Sequence, residues 1–575
     1  MAVAAASPDT ELSTLAEQTG FKRTGRYQEV ERLCRKFQRN WSGKVRCTEF
    51  GRTPEGRPML ALVASEDGVL DPAAARTKQR PVVLMQGGIH AGEIDGKDAG
   101  LLALRELLAG SAAPGVLRRV TMVFVPVFNV DGHERFGRWN RPNQVGPEEM
   151  GWRTTAQNFN LNRDYTKADA PEMQAMLRLL NQWDPILYVD LHVTDGAEFQ
   201  HDISFNIAPT LAGPPQLVRV AGQLREDLMA RMSELGSLPL DFYPSFVRDD
   251  DPASGFAVNV APARFSQQYW AERNRIGVLV ETHSWKDYAT RVRGTRNSIV
   301  TLLERAASDA AEWLRAAQTA DLQARQLGGT ELTLIYDNTE HVSMFDFRGY
   351  SYVREPSAIS GGLVTRYDNR QPQLWRVPLR DQVKPVVSVT VPRGGYIVPA
   401  AHAGWLAEKL ALHGIESRRL STAMTLEVEV LRATRVTRPA GTFEGHGTLT
   451  LEGTWAREQR TMAAGSLFVP VAQPKARLLI KLLEPRDPDS FASWGFFNTA
   501  FERREYMEAY VAETVASEML AKDPQLKREF ERRLSEEAEF ARSPAARLEF
   551  FYQRHPAWDA NFNLYPVVRV ATPPP

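Results

Sequence analysis

Cysteine is nearly absent from this chain: there are two in 575 residues, Cys34 and Cys47. That excludes a disulfide-built scaffold and a metal site made of thiolates. One bridge between them, in an exported protein, and two buried free thiols stand as equal alternatives. Net charge is missing as well. The 70 basic and 70 acidic side chains cancel, so no general attraction to nucleic acid or to an anionic membrane is expected. Short basic pairs such as Arg35-Lys36 are interleaved with apolar residues and read as solvated helix faces. No apolar run is long enough to span a membrane. There is no internal repeat, and the only low-complexity stretch is the terminal Pro573-Pro574-Pro575. The opening MAVAAASPDT is too short for a complete signal peptide, but its small residues resemble those around a cleavage site. Export to a periplasm or to the outside is the expectation, with a cytoplasmic location as the alternative.

What the chain does have is a set of metal-binding residue types at the ends of apolar runs. The run Pro81–Met85 is bounded by Gly87-Gly88 and leads into His90 and Glu93, spaced His-x-x-Glu. Such a run reads as a buried strand, and ligand sites in open α/β sheets favour the carboxyl ends of strands. A second run, Pro185–Leu191, ends at His192, and a third, Ile276–Val280, ends at Glu281. Zinc takes imidazole nitrogen and carboxylate oxygen, and a catalytic site keeps one position open for water. His90, Glu93 and His192 supply such a His₂Glu set. Glu281 supplies a carboxylate able to take a proton from water and return it to a leaving amine. The bland alternatives are a solvated loop histidine, a helix-start glutamate and a strand-end carboxylate paired with arginine.

The segment GWRTTAQNFNLNRDY adds Arg153, Asn162 and Arg163. A guanidinium fork can bind a carboxylate through two hydrogen bonds, and another can polarise a carbonyl. Taken in order, His90-x-x-Glu93, Trp152-Arg153, Asn162-Arg163, His192 and Glu281 resemble the zinc carboxypeptidases, over roughly residues 20–325. The resemblance implies one zinc per chain, held by His90, Glu93 and His192. It implies Glu281 as general base and then general acid, Arg153 on the oxyanion, and Asn162 with Arg163 on the substrate's terminal carboxylate. The family also uses a mobile tyrosine near that carboxylate, for which Tyr269 is the candidate. Three departures stand out, one of them the unusual segment VTDGAEFQHD after His192. Asn160 occupies the place of a usual aspartate, two residues before the Asn-Arg pair, and Glu281 is followed by Thr282-His283-Ser284-Trp285. The implied activity is hydrolysis of the C-terminal peptide bond of a peptide. The alternatives are an aspartoacylase-like amidohydrolase acting on N-acyl amino acids and a zinc-binding pseudoenzyme.

At this length two or three domains are expected. Strand and helix signals alternate through residues 8–327, which predicts an α/β/α sandwich with a mixed sheet. Within it, Cys47–Val63 reads as a hairpin, Asp95–Leu108, Glu172–Trp183 and Arg293–Leu327 as helices, and Thr121–Phe128 as a strand. Residues 133–170 are a long polar insertion, and long ordered loops are usually functional. After Gly328-Gly329 the pattern changes. Residues 330–480 read as a β-rich accessory domain with one helix near Ala403–Leu412. Residues 485–575 read as a helical region packing on it, notably Glu505–Leu520 and Gln525–Ala541, with a last strand in Leu564–Val570. His201, His283 and Asp195 are further candidates to line a cleft. His341, His402, His413, His446 and His555 show no ligand spacing and are expected to be packed or superficial.

Overall fold

A computed structural model describes residues 11–575. The export reading of MAVAAASPDT therefore lies outside the described residues. Among the described residues nine strands precede the Gly328-Gly329 junction: β1 Val45–Arg52, β2 Pro58–Ala64, β3 Val82–Gly87, β4 Thr121–Val125, β5 Leu187–Thr194, β6 Ile203–Ala208, β7 Pro239–Leu240, β8 Phe256–Ala257 and β9 Ile276–His283. All but β8 form one mixed sheet in the order β1-β2-β4-β3-β5-β9-β6-β7. Its centre, β4-β3-β5-β9, is parallel. β3, β4, β5 and β9 are buried along their whole length, as strands covered by helices on both faces must be. They are accordingly unbroken Val/Leu/Ile-rich runs rather than alternating ones.

Helices cover the sheet in two groups. One comprises α1 Tyr27–Asn40, α2 Asp95–Ala109, α4 Pro215–Glu234 and the 37-residue α6 Tyr288–Ala324. The other comprises α3 Pro171–Trp183 and α5 Ser266–Ala271. The long helix starts five residues before the expected Arg293. Asp287 caps it, accepting from the Thr290 amide at 2.9 Å, so the first turn is held without any apolar signal. Helix α2 ends at Gly110, whose φ of +76° is the left-handed C-cap conformation that favours glycine. Cys34 in α1 and Cys47 in β1 form a disulfide.

The second half is β-rich, with helices at its end. It carries β10 Glu331–Asn338, β11 Ser343–Pro356, β12 Leu363–Arg380, β13 Val383–Thr390, β14 Gly395–Val398, β15 Arg418–Arg419, β16 Met424–Thr437, β17 Thr450–Met462, β18 Leu467–Pro470 and β19 Val568–Val570. β10 pairs with β13, and β11 with β12 forms a long ribbon. A six-stranded sheet runs β15-β18-β14-β19-β16-β17. The last strand thus inserts between β14 and β16, tying the C-terminus into that sheet. The segment expected as one helix over Gln525–Ala541 is two, Pro524–Glu536 and Ala538–Arg542, because Glu537 is extended at φ −112°, ψ 91°.

One apolar core runs through both halves. It includes Leu332, Leu334, Val389, Tyr396 and Leu479 from the second half together with Trp270, Trp313 and Ala324 from the first. The helices of residues 509–552 keep a smaller core of their own, built on Leu526, Phe540, Phe550 and Phe551.

Candidate active site

The sheet topology brings the predicted residues together. β3, β5 and β9 are parallel neighbours, so their carboxyl ends lie side by side. The chain leaves β3 for β4 on one side, while β5 lies on the other. This is a switch point, where the loops diverge and open a crevice. Beyond β3, Gly88 takes φ +63°, and a turn closed by the Glu93 amide on the His90 carbonyl at 2.9 Å sets both side chains inward. In the register of β5 and β9, His192 stands directly beside Glu281. All four residues are buried.

His90, Glu93 and His192 form a cluster whose ligand atoms lie within 4.8 Å of one another. His90 Nδ1 is 2.9 Å from Glu93 Oε1, and His192 Nδ1 is 2.9 Å from Glu93 Oε2. Both outer ring nitrogens are held as well. His90 Nε2 donates to Asn160 Oδ1 at 3.0 Å, and His192 Nε2 lies 2.9 Å from Asp190 Oδ2. The two Nδ1 atoms are thereby left facing inward as donors to a cation, which is how ligating imidazoles are oriented. Asn160, which departs from the family's aspartate, keeps the orienting hydrogen bond but not the charge.

The charges fit a cation too. Burial pushes His90 down to about 4, against the pull of Glu93, so this ring is neutral as a ligand must be. Burial also opposes a charge on His192, yet Asp190, Glu281 and Glu93 raise it well above the usual histidine range. An imidazole that keeps its proton among three carboxylates occupies a place suited to a metal ion. Glu281 is pushed up to about 8, first by burial and then by Glu93 and Asp190, with His192 opposing. Its Oε2 is buried with no hydrogen-bond partner.

These groups line a cavity of about 420 Å³, a size typical of small-ligand sites. Arg153, Asn162, Arg163 and Asp195 line it with them. Arg153 Nη1 is 3.4 Å from Glu93 Oε1. Arg163 lies over the ring of Phe265 at 4.4 Å and donates to the Asn162 carbonyl at 2.8 Å. The adjacent carboxylate, Asp164, is engaged with Lys167 at 2.6 Å and with the Asp169 and Ala170 amides. Burial and the neighbouring Arg153 hold Arg163 below its ordinary value, with Glu444 opposing.

Tyr269 does not belong to this cavity. It is fully buried in α5, with its hydroxyl 2.9 Å from His413 Nδ1 and its ring against Tyr165. It faces the core because α5 packs its apolar side on β5 and β9. His201 and His283 are likewise outside the lining. His283 bonds the Ser204 hydroxyl at 2.6 Å and the His201 carbonyl at 2.7 Å. The tyrosine that does line the cavity is Tyr243, whose hydroxyl accepts from Thr194 Oγ1 at 2.9 Å. Arg141, Asn206 and Gln267 also line it and carry no recognisable sequence signal. Arg141 places Nη1 3.1 Å from Glu93 Oε1 and Nη2 3.3 Å from Asp195 Oδ1. Only its place in the polar insertion of residues 133–170 could have drawn attention to it.

Residues 30–201 match the sequence profile of a family described as zinc carboxypeptidase. Two curated relatives are the proteins named Carboxypeptidase 2 in Trichophyton rubrum, 24 % identical over 482 residues, and in Trichophyton tonsurans, 23 % identical over 460. Each alignment covers 77 % of this chain and 79 % of the relative. A solved metallo-carboxypeptidase from Burkholderia cenocepacia aligns at 17 % identity with a TM-score of 0.37, over 50 % of this chain and 70 % of that one. The profile match takes in the whole His-Glu-His cluster, Arg153 and Arg163, and ends before Glu281, which the alignment in β9 supplies. By that match, the chain is similar to the zinc carboxypeptidases over the segment that carries its His-Glu-His cluster.

Proposed function

We propose that the protein removes the C-terminal residue of a peptide, with one zinc per chain held by His90, Glu93 and His192. The observation that carries this reading is the presence in one cavity, beside the His-Glu-His cluster, of Glu281, with one oxygen free of hydrogen bonds among the described residues, and of Arg163, whose guanidinium bonds a backbone carbonyl rather than a carboxylate. When bound, zinc supplies Lewis acidity for a water and for the scissile carbonyl. Glu281 accepts a proton from the attacking water at its free oxygen and passes it to the nitrogen of the leaving residue. Arg153, on the cleft side of Glu93, donates to the oxygen on which charge develops. Arg163 and the Asn162 amide take the substrate's free carboxylate. The stack of Arg163 on Phe265 holds the fork in one plane, which suits bidentate recognition. Tyr243, not Tyr269, is the phenol placed to close over the bound residue. The disulfide between Cys34 and Cys47 supports an exported protein. Among the described residues no helix is long and apolar enough to cross a membrane.

Two measurements test this. Zinc content by elemental analysis should be one per chain in the wild type and lost in His192→Ala. A matched pair of peptides, one with a free C-terminus and one amidated, should differ in kcat/KM by roughly tenfold to a hundredfold or more. That is the scale of about 1–3 kcal/mol for a cation left unpaired. Equal values for the two peptides would sink the carboxypeptidase reading. Turnover of N-acetyl or N-succinyl amino acids in preference to peptides would favour the amidohydrolase.

A further inference from the structure

The wall of the cavity at Ala257, Val258, Asn259 and Ala261 is a short extended segment with little regular structure of its own. The 243–247 segment holds it from one side, through the Ala257 amide on the Ser245 carbonyl at 3.4 Å and a bridge between Phe246 and Phe256, and the second half of the chain holds it from the other. β8 pairs in parallel with the end of β12, Phe256 beside Leu379 and Ala257 beside Arg380. The Val258 amide donates to the Arg380 carbonyl at 2.8 Å. The Asn338 amide nitrogen donates to two carbonyls, Val258 at 2.9 Å and Arg380 at 3.2 Å, bridging the wall and β12. Lower on the same wall, the Asn259 side chain reaches the Tyr336 carbonyl at 3.4 Å. The next residues are clamped from the helical end. Asp489, fully buried, accepts from the Arg264 amide at 2.8 Å and lies 2.6 Å from its guanidinium. Arg264 immediately precedes Phe265, the ring beneath Arg163.

The opposite surface of this wall is apolar and shared. Phe256 packs with Phe242, Phe246, Phe347 and Trp375 in a cluster separate from the main core. Phe242 adjoins Tyr243, so the ribbon of β11 and β12 supports both cleft loops of the first half. Among the described residues no named strand of the first half pairs with β8, whose backbone meets that half through the bridge of Phe256 to Phe246 and its flanking hydrogen bonds.

We propose that Asn338 is a positioning residue for the substrate cleft: its side-chain amide ties the wall strand 256–258 to β12 and so fixes the surface against which the released residue binds. This rests on the carboxypeptidase reading for its kinetic consequence but not for its structural one. Asn338 touches neither the metal ligands nor Glu281, so the effect belongs to binding rather than to chemistry. Losing one amide that serves two half-buried carbonyls is worth roughly a tenfold change in an equilibrium.

The test compares wild type with Asn338→Ala and Asn338→Asp, the latter setting an acceptor against two carbonyls. For a peptide with a free C-terminus, KM should rise roughly tenfold in Asn338→Ala while kcat and zinc content stay within about twofold. Asn338→Asp should be at least as impaired. Hydrogen exchange should accelerate at residues 256–261 and remain unchanged in β9. That readout stands even if the wild type proves inert on every peptide, an outcome that would sink the activity reading alone. Unchanged exchange at 256–261, or a loss of kcat at constant KM, would overturn the inference.

Discussion

Single residues carry the chemistry, and their environments divide the labour. Glu281 and Glu93 are two buried carboxylates a short distance apart with opposite tendencies. Glu93 is held well below the usual range: burial opposes this, but His90, Arg141 and His192 outweigh it. Glu281 is pushed the other way, to about 8 in the metal-free protein, because burial dominates and its neighbours include Glu93 and Asp190. A ligand must stay ionised and a base must exchange its proton near neutrality, so the split supports the proposed roles. Glu281→Gln should keep zinc and fold while losing at least the roughly 10²–10⁴-fold contributed by an acid–base group. A variant within a few-fold of wild type would make Glu281 structural. The sign of the pH dependence follows. Only the ionised carboxylate can accept a proton, so kcat/KM should rise with pH through the titration of Glu281. A bound cation favours the ionised form and moves that limb below 8. A profile without an acid limb would contradict the assignment.

At the scale of elements, α3 contains a strained charge. Glu172 lies in its first turn, where a helix N-terminus favours an anion. Yet it is buried, neither carboxylate oxygen has a hydrogen-bond partner among the described residues, and burial pushes it up to about 7, with Asp131 and Asp164 adding. Because its folded value lies above the unfolded 4.5, the folded state binds the extra proton between those limits. Stability from this group is therefore intact below pH 4.5 and falls as pH rises through 7, by up to about 3 kcal/mol. Glu172→Gln should flatten the decline of the urea midpoint between pH 5 and 8. An unchanged decline would show that the charge finds a partner. The disulfide acts on the neighbouring elements. It joins α1 to β1 across a separation of 13 residues, and removing it by Cys34→Ser with Cys47→Ser should cost on the order of 2–3 kcal/mol. Equal urea midpoints with and without the bridge would contradict this.

At the scale of the whole molecule, the two halves are mechanically one object for most of their length. The shared core means that a chain cut at Gly328 would lose Leu332, Leu334, Val389, Tyr396 and Leu479 from it and leave part of that core open to water. Such a truncation should aggregate or unfold rather than yield a free catalytic domain. A soluble, zinc-loaded fragment 11–328 with normal turnover would refute this. The helices of residues 509–552 differ, since their apolar cluster is their own. The link from Glu502 to Glu508 is irregular and largely exposed and contains Arg503 and Arg504. Limited trypsin digestion should cut there first, and an initial cut within residues 330–400 would argue against it.

How much of this was legible in the chain depends on whether neighbours in sequence became neighbours in space. Local patterns fixed the central strands, because a strand buried on both faces must be apolar throughout, and β9 spans the residues its pattern indicated, Ile276–His283. The same logic placed His90, Glu93, His192 and Glu281 at strand ends, and parallel pairing then brought those ends together. Tyr269 failed for an identifiable reason. Its position in RFSQQYWAERN gives no clue to which side of α5 faces the sheet, and packing on β5 and β9 turned it inward. Tyr243 and Arg141 come from irregular loops, where no periodicity tells inside from outside. The sequence by itself determined the ligand types, their order and the α/β/α layers, since these follow from residue chemistry and from apolar runs. The cleft's far wall was decided only by tertiary structure. Asn338 and Asp489 meet Val258 and Arg264 across separations of 80 and 225 residues, contacts set by how two halves of one core pack and by nothing local to either segment.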